Sequence, residues 1–181
     1  MTETLFSLSE QIRRCTACPL YKKSTLAVPG EGPKNAKIMV VGEAPGEEED
    51  RTGKTFMGKA GKFLDKMLEI ADIKRNDVFI TNAVKHRPYE NRNPKVGELK
   101  TCKELWLDQQ IEIIKPELII VLGRIALKSL LNETDVKYLH GKVIGRNKQK
   151  YFVTYHPSAA LRFPKIRAEM EKDFKKLKKF V

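Results

Sequence analysis

Four short runs of Val, Ile and Leu punctuate the chain, at Lys37 to Gly42, Val78 to Val84, Glu117 to Gly123 and Tyr151 to Tyr155. Their apolar positions are consecutive and do not alternate, which predicts strands covered on both faces, as in a parallel sheet. Between these runs the apolar positions fall at helical spacing: Phe63, Met67 and Ile70 after the first, Leu99, Cys102 and Trp106 before the third, and Ile125, Leu127, Leu130 and Leu131 after it. The tail sets Ile166, Met170, Phe174 and Leu177 on one stripe among lysines, predicting a docked amphipathic helix with a basic outer face. The order βαβαβαβα predicts an α/β fold, three-layer αβα, around a central four-stranded, mainly parallel sheet. Lys22 to Asn35, with Pro29, Gly30, Gly32 and Pro33, and the polar, proline-bounded Arg87 to Pro94 read as loops. No repeat, low-complexity linker or composition break divides the chain, so one domain over 1–181 is expected.

Length and composition support that reading, since 181 residues with 41% apolar content are ample for a continuous core. No apolar stretch approaches membrane-spanning length, and MTETLFSLSEQIRR lacks the basic-then-apolar order of a secretory signal, so a cytoplasmic protein is expected. A formal charge of +12 favours a polyanionic partner. A solvated lysine-rich face would produce the same charge, so charge alone does not choose nucleic acid. The three cysteines are Cys15, Cys18 and Cys102, the first two in a C-T-A-C turn. An odd count with this spacing fits a metal site or redox pair better than a disulfide framework.

In an open parallel sheet, ligands bind beyond the carboxyl ends of the strands, where loops converge on a rigid frame. The first run ends in Gly42-Glu43-Ala44-Pro45-Gly46-Glu47-Glu48-Glu49-Asp50, the second in Thr81-Asn82, the third in Gly123-Arg124 and the fourth in His156-Pro157-Ser158. Four such ends facing one cleft say more than any single motif. The Walker-type G-x-x-x-x-G-K-[ST], G-x-G-x-x-G and G-x-S-x-G patterns are all absent from the sequence, which argues against a nucleotide-binding or α/β-hydrolase site.

The stretch GEAPGEEEDRTGKTFMGKAGKFLD, the ITNAVK segment, the ENRNP loop, QIEIIKPELIIVLGRIA and HPSAALR together resemble the family-4, iron-sulfur uracil-DNA glycosylases, from about Cys15 to the last helix. The resemblance implies a uracil-DNA glycosylase-like fold and hydrolysis of the N-glycosidic bond of deoxyuridine in single- or double-stranded DNA. It also implies a nucleoid-associated monomer. A non-catalytic, metal-containing nucleic-acid-binding protein is the alternative. Such an enzyme extrudes the nucleotide, holds the base between a flat wall and hydrogen-bonding groups, and stabilises charge as the bond breaks. By resemblance Phe56 stacks on the base, and His156 donates to uracil O2 as the base leaves as an anion. Asn82, buried at a strand end, offers an amide complementary to uracil O4 and N3–H.

Where the best-known branch of the superfamily has a water-activating aspartate, this chain has Ala44, so Glu43 or Asn91 is left to orient the water or the sugar. Glu49 is expected against C5 of uracil, excluding the thymine methyl, while Glu47, Glu48 and Asp50 read as a solvated acidic face. Ser158, Leu161 and Arg162 are expected to meet DNA, Leu161 and Arg162 as a wedge filling the hole left by the extruded nucleotide. Leu161 could equally be the first core residue of a short helix. The family's fourth cysteine, in the segment after ITNxVK, is His86 here. The resemblance therefore implies a 4Fe-4S cluster on Cys15, Cys18, His86 and Cys102, and zinc is the alternative that the same ligands allow. A branch of the superfamily that traps its product covalently also has TNAVKH, followed by a longer basic loop with a second histidine. The short ENRNP loop has none, so ordinary turnover is expected.

Overall fold

A computed structural model describes residues 4–181. The chain opens with α1 (Leu5–Arg13), started by a reciprocal cap in which Thr4 and Ser7 exchange side-chain and backbone hydrogen bonds and from which Leu8 and Ile12 turn inward. Five strands follow in the order β1 (Ile38–Gly42), β2 (Val78–Asn82), β3 (Leu118–Leu122), β4 (Lys142–Arg146) and β5 (Gln149–Thr154). In the sheet they lie as β2-β1-β3-β5-β4, with β1, β2, β3 and β5 parallel and β4 antiparallel to β5. β2 and β3 are buried along their whole length, as their unbroken apolar runs predict.

The expected four-stranded sheet is therefore corrected to five strands. β4 escapes a hydrophobic reading because Val143 and Ile144 are its only apolar residues and the strand is half exposed at the sheet edge, where Lys142 and Arg146 discourage further pairing.

Helices cover both faces, and the strands divide their side chains between two cores. On one face Val40, Ile80, Ile120 and Phe152 pack with Phe63, Leu64, Met67 and Leu68 of α3 (Lys59–Ile70). Met170, Phe174 and Leu177 of the terminal helix, Pro164–Leu177, complete that layer, so the lysine-rich tail docks as its stripe predicts. On the other face Met39, Val41, Phe79, Ile119 and Val121 meet Ile114 of the helix Asp108–Ile114 and Ala126, Leu127 and Leu131 of the helix Gly123–Leu131. Successive residues of β1 thus point to opposite layers, the alternation that a pleated strand imposes.

The other helices are α2 (Glu47–Thr52), α4 (Val96–Cys102), α5 (Asp108–Ile114), α6 (Gly123–Leu131), α7 (Val136–Leu139), α8 (Pro157–Arg162) and α9 (Pro164–Leu177). The Leu99–Trp106 segment predicted as one helix is α4 followed by a π-helical turn, Lys103–Leu107, that leads into α5. Loop 28–32 closes the outer edge of β2 through paired Glu31–Ile80 backbone bonds of 3.0 and 2.8 Å. Among the described residues no helix is long and apolar enough to cross a membrane.

Candidate active site

The sheet order changes direction at β1, with β2 on one side and β3 on the other, and the loops leaving the strand ends there diverge to opposite layers. A cleft of ≈ 420 Å³ opens at this point, lined by Glu43, Ala44, Glu49, Phe56, Asn82, Asn91, His156, Ser158 and Arg162 among others. The pairing of β1 with β2 continues past the strands, Ala83 N–H donating to Gly42 O at 2.9 Å and Val84 N–H to Glu43 O at 3.2 Å. That zipper sets Glu43 and Asn82 side by side on the cleft floor.

Asn82 is 2% exposed, and its Oδ1 is a buried acceptor with no hydrogen-bond partner. Such an orphan costs on the order of 1–3 kcal/mol, which a ligand donor would recover. Phe56 lies over the same floor in a left-handed backbone conformation, φ 50°, with its ring centroid 6.1 Å from that of His156. Two glycines allow this approach. A Cβ on Gly42 would come within 2.6 Å of the Phe56 ring, and one on Gly61 would run into the Phe56 carbonyl.

His156 stands at the start of α8, where its Nδ1 accepts the Ser158 backbone N–H at 3.2 Å and lies 2.8 Å from Ser158 Oγ. A backbone amide only donates, so Nδ1 is the unprotonated nitrogen and the neutral ring carries its proton on Nε2. Burial pushes the His156 pKa down to about 4, against which the Glu49 charge acts only weakly, and the ring is neutral at physiological pH. Glu43 moves the other way: burial raises its carboxyl above the ordinary range, and Arg124 partly offsets the shift.

Glu49 and Asp50 are committed to the loops. Glu49 Oε1 accepts from Met57 N (2.7 Å) and Gly58 N (3.0 Å), and Oε2 from Gly46 N (3.0 Å), so one carboxylate ties both ends of the segment carrying Phe56. Asp50, expected on a solvated face, is instead buried and accepts from the amides of Thr25 (2.8 Å) and Leu26 (3.3 Å). Glu47 and Glu48 are exposed as expected. Asn91, at φ 55°, accepts from Arg87 Nε at 2.9 Å, and Arg87 reaches Glu47 at 3.8 Å across the cleft mouth. Leu161 does not line the cleft; it is 48% exposed on α8, which excludes the core reading and leaves the side chain free to act outside.

A polar network beneath the floor has no counterpart in the sequence reading. Lys85 is fully buried, and its Nζ donates to Thr81 Oγ1 (2.6 Å), Gln110 Oε1 (2.7 Å) and Asn82 O (2.9 Å). Lys85 also ended the ITNAVK motif, but a lysine there reads as a surface residue until the chain around it is seen to be closed.

The three cysteines are free thiols in one neighbourhood, where each affects the titration of the next. Cys15 Sγ receives the Trp106 indole N–H at 3.2 Å, Cys18 and Cys102 share an apolar cluster with Leu20 and Val84, and the Lys85 amide donates to Cys102. His86 is buried, and the charge that acts on it is that of Asp50. Among the described residues no three His, Cys, Asp or Glu side chains form a group that could hold a single metal ion. None of these residues lines the cleft.

Residues 29–178 match the model of the uracil DNA glycosylase superfamily, and the chain belongs to that family. Within it, the chain is similar to proteins named type-4 uracil-DNA glycosylase. It is 44% identical to that of Sulfurisphaera tokodaii over 97% of this chain and 84% of the relative, and 45% identical to that of Saccharolobus solfataricus over 97% and 86%. The Thermotoga maritima protein of the same name is 40% identical over 99% of this chain and 95% of its own length.

Proposed function

We propose that this protein is a uracil-DNA glycosylase that hydrolyses the N-glycosidic bond of deoxyuridine in DNA, releasing uracil and leaving an abasic site for base excision repair. The observation that carries the reading is the orphaned Asn82 Oδ1 on the cleft floor beside Phe56. An acceptor without a donor suits the N3–H of uracil, and the amide nitrogen suits O4, whereas cytosine reverses both groups.

In this reading the base lies against Phe56, with Asn82 at its Watson–Crick edge and the Nε2–H of neutral His156 at O2. As the C1′–N1 bond breaks, its electron pair passes to the base, and a donor already in place stabilises the charge without reorganisation. Water adds to C1′ and gives up its proton. Glu43, raised in pKa by burial, takes the proton or faces the oxocarbenium charge, and Asn91 orients the water or sugar. Ala44 leaves room beside Glu43 in place of a second carboxylate. Glu49 acts from beneath, holding the Phe56 loop against the C5 side of the base. Ser158 and Arg162 meet phosphate, and exposed Leu161 enters the duplex where the nucleotide has left. The protein acts as one domain and as a monomer on nucleoid DNA.

A 4Fe-4S cluster, when bound, supplies a structural cross-link between the end of α1, the segment after β2 and α4. Cys15, Cys18 and Cys102 would hold it, with His86 as the fourth ligand. Three free thiols in one neighbourhood, with His86 buried after β2, support the cluster reading, and zinc is the alternative that the same ligands allow.

The test is Asn82→Asp, whose carboxylate accepts but does not donate. Uracil release from an oligonucleotide is expected to fall roughly a hundredfold or more, with weak cytosine release appearing. An unchanged rate on uracil would remove Asn82 from recognition.

A further inference from the structure

The loop that brings Asn91 to the cleft carries an aromatic ring outside it. Tyr89 is 55% exposed, while Pro88, Asn91, Arg92 and Asn93 around it line the cleft, so the ring stands on the rim. A lone exposed aromatic on a loose loop would be unremarkable, but this loop is braced. Pro88 and Pro94 are buried at its two ends, and Arg92 clasps the buried Glu98 carboxylate through bonds of 2.9 and 2.7 Å. Between the ring and the cleft the backbone passes through two left-handed residues, Glu90 at φ 52° and Asn91 at φ 55°, a conformation that side chains with a Cβ adopt at a cost. Lys23 supplies an independent observation. It is exposed at the end of the short helical turn Pro19–Lys23, its Nζ lies over the Tyr89 ring at 5.6 Å from the centroid, and among the described residues it joins no salt bridge. A flat π face on a rigid mount, with an unpaired cation beside it, is the combination that holds an unpaired base and its phosphate.

We propose that Tyr89 and Lys23 form a stacking site for the nucleotide next to the extruded deoxyuridine, the ring taking its base and the ammonium its phosphate. The inference rests on the glycosylase reading and adds to it a preference for strand state. A base must leave its own stack to lie on the ring, so the site acts on single-stranded DNA and gains little from a duplex, where the neighbouring base stays paired. Exposed Leu161, on the helix that brings Ser158 and Arg162 to the same cleft, serves the duplex instead. The two rim residues thus answer to different forms of the substrate.

The experiment uses the full chain, Tyr89→Ala, Tyr89→Phe and Lys23→Gln, with binding read by fluorescence anisotropy on single-stranded and duplex oligonucleotides. Each probe carries a 2′-fluoroarabino analogue of deoxyuridine, whose glycosidic bond resists cleavage, and a second single-stranded set replaces the base on its 5′ or 3′ side by an abasic spacer. Tyr89→Ala is expected to weaken single-strand binding roughly tenfold, with a clearly smaller loss on duplex, and Tyr89→Phe to keep it. Removing one of the two neighbouring bases should weaken binding by the unsubstituted chain to a similar degree and leave Tyr89→Ala unaffected. Lys23→Gln should lower the slope of log affinity against log salt by about 0.7 on the single strand. Unchanged binding in Tyr89→Ala, an equal loss on duplex, a Tyr89→Ala chain that still responds to the missing base, or an unchanged salt slope in Lys23→Gln would each overturn the proposal. An unsubstituted chain that shows the expected binding pattern yet releases no uracil from an ordinary deoxyuridine strand would instead overturn the glycosylase reading itself.

Discussion

At His156 a single backbone contact decides the chemistry: the Ser158 amide occupies Nδ1 and leaves Nε2 as the donor. With a pKa near 4 the ring changes charge only in acid, while burial holds the Glu43 carboxyl above its ordinary range. As pH falls, Glu43 therefore takes up its proton before His156 does. The kcat/KM profile for uracil release is expected to fall on the acid side as Glu43 protonates, above the pH at which an ordinary carboxylate titrates, with no step from His156 near the ordinary histidine value. A titration near 6.5 that disappears in His156→Ala would contradict this assignment. That Phe56, Asn82 and His156 meet at one cleft was legible in the sequence, Asn82 and His156 from their strand ends and Phe56 from the family resemblance. The tasks of Glu49, Asp50 and Lys85 were not. Each satisfies backbone or side-chain groups brought to it from elsewhere in the chain, and those demands exist only once the loops have closed.

Among the elements, α3 carries the closest fit, because its first turn passes under the strained Phe56 backbone and only hydrogen at Gly61 clears the carbonyl. Gly61→Ala is expected to destabilise the fold by about 1–3 kcal/mol and lower Tm by several degrees. It should lower uracil release further, because the displaced residue is the wall proposed for the base. Thermal unfolding and single-turnover rates read the two effects separately, and no change in either would mean that the loop can yield. The buried strands were legible from their unbroken apolar runs, whereas β4 and the π turn between α4 and α5 were not, because edge pairing and a one-residue register change leave little hydrophobic signal. The cysteine neighbourhood joins α1, the segment after β2 and α4. Protein purified without oxygen is expected to be brown and to contain iron with acid-labile sulfide, and His86→Ala should make that cluster labile while His86→Cys retains it. Colourless protein with stoichiometric zinc would contradict the cluster, and an equally stable cluster in His86→Ala would exclude His86 from it.

Taken whole, the molecule carries a net charge of +12 and opens a cleft of ≈ 420 Å³ at the switch point of a parallel sheet. The charge suits the phosphate backbone, and the cleft is large enough for one base and its sugar. The αβα layering was foreseeable from periodicity, but the convergence of Glu43, Asn82 and His156 required the strand order, which periodicity does not encode. The most direct measurement is incubation of the purified chain with an oligonucleotide bearing one deoxyuridine, scored for free uracil and for abasic sites, beside matched strands carrying cytosine or thymine. The account predicts one abasic site per uracil released, an unbroken backbone, and no release from the matched strands. Tight binding of the uracil strand with no base released would contradict it and leave a nucleic-acid-binding protein in place of an enzyme.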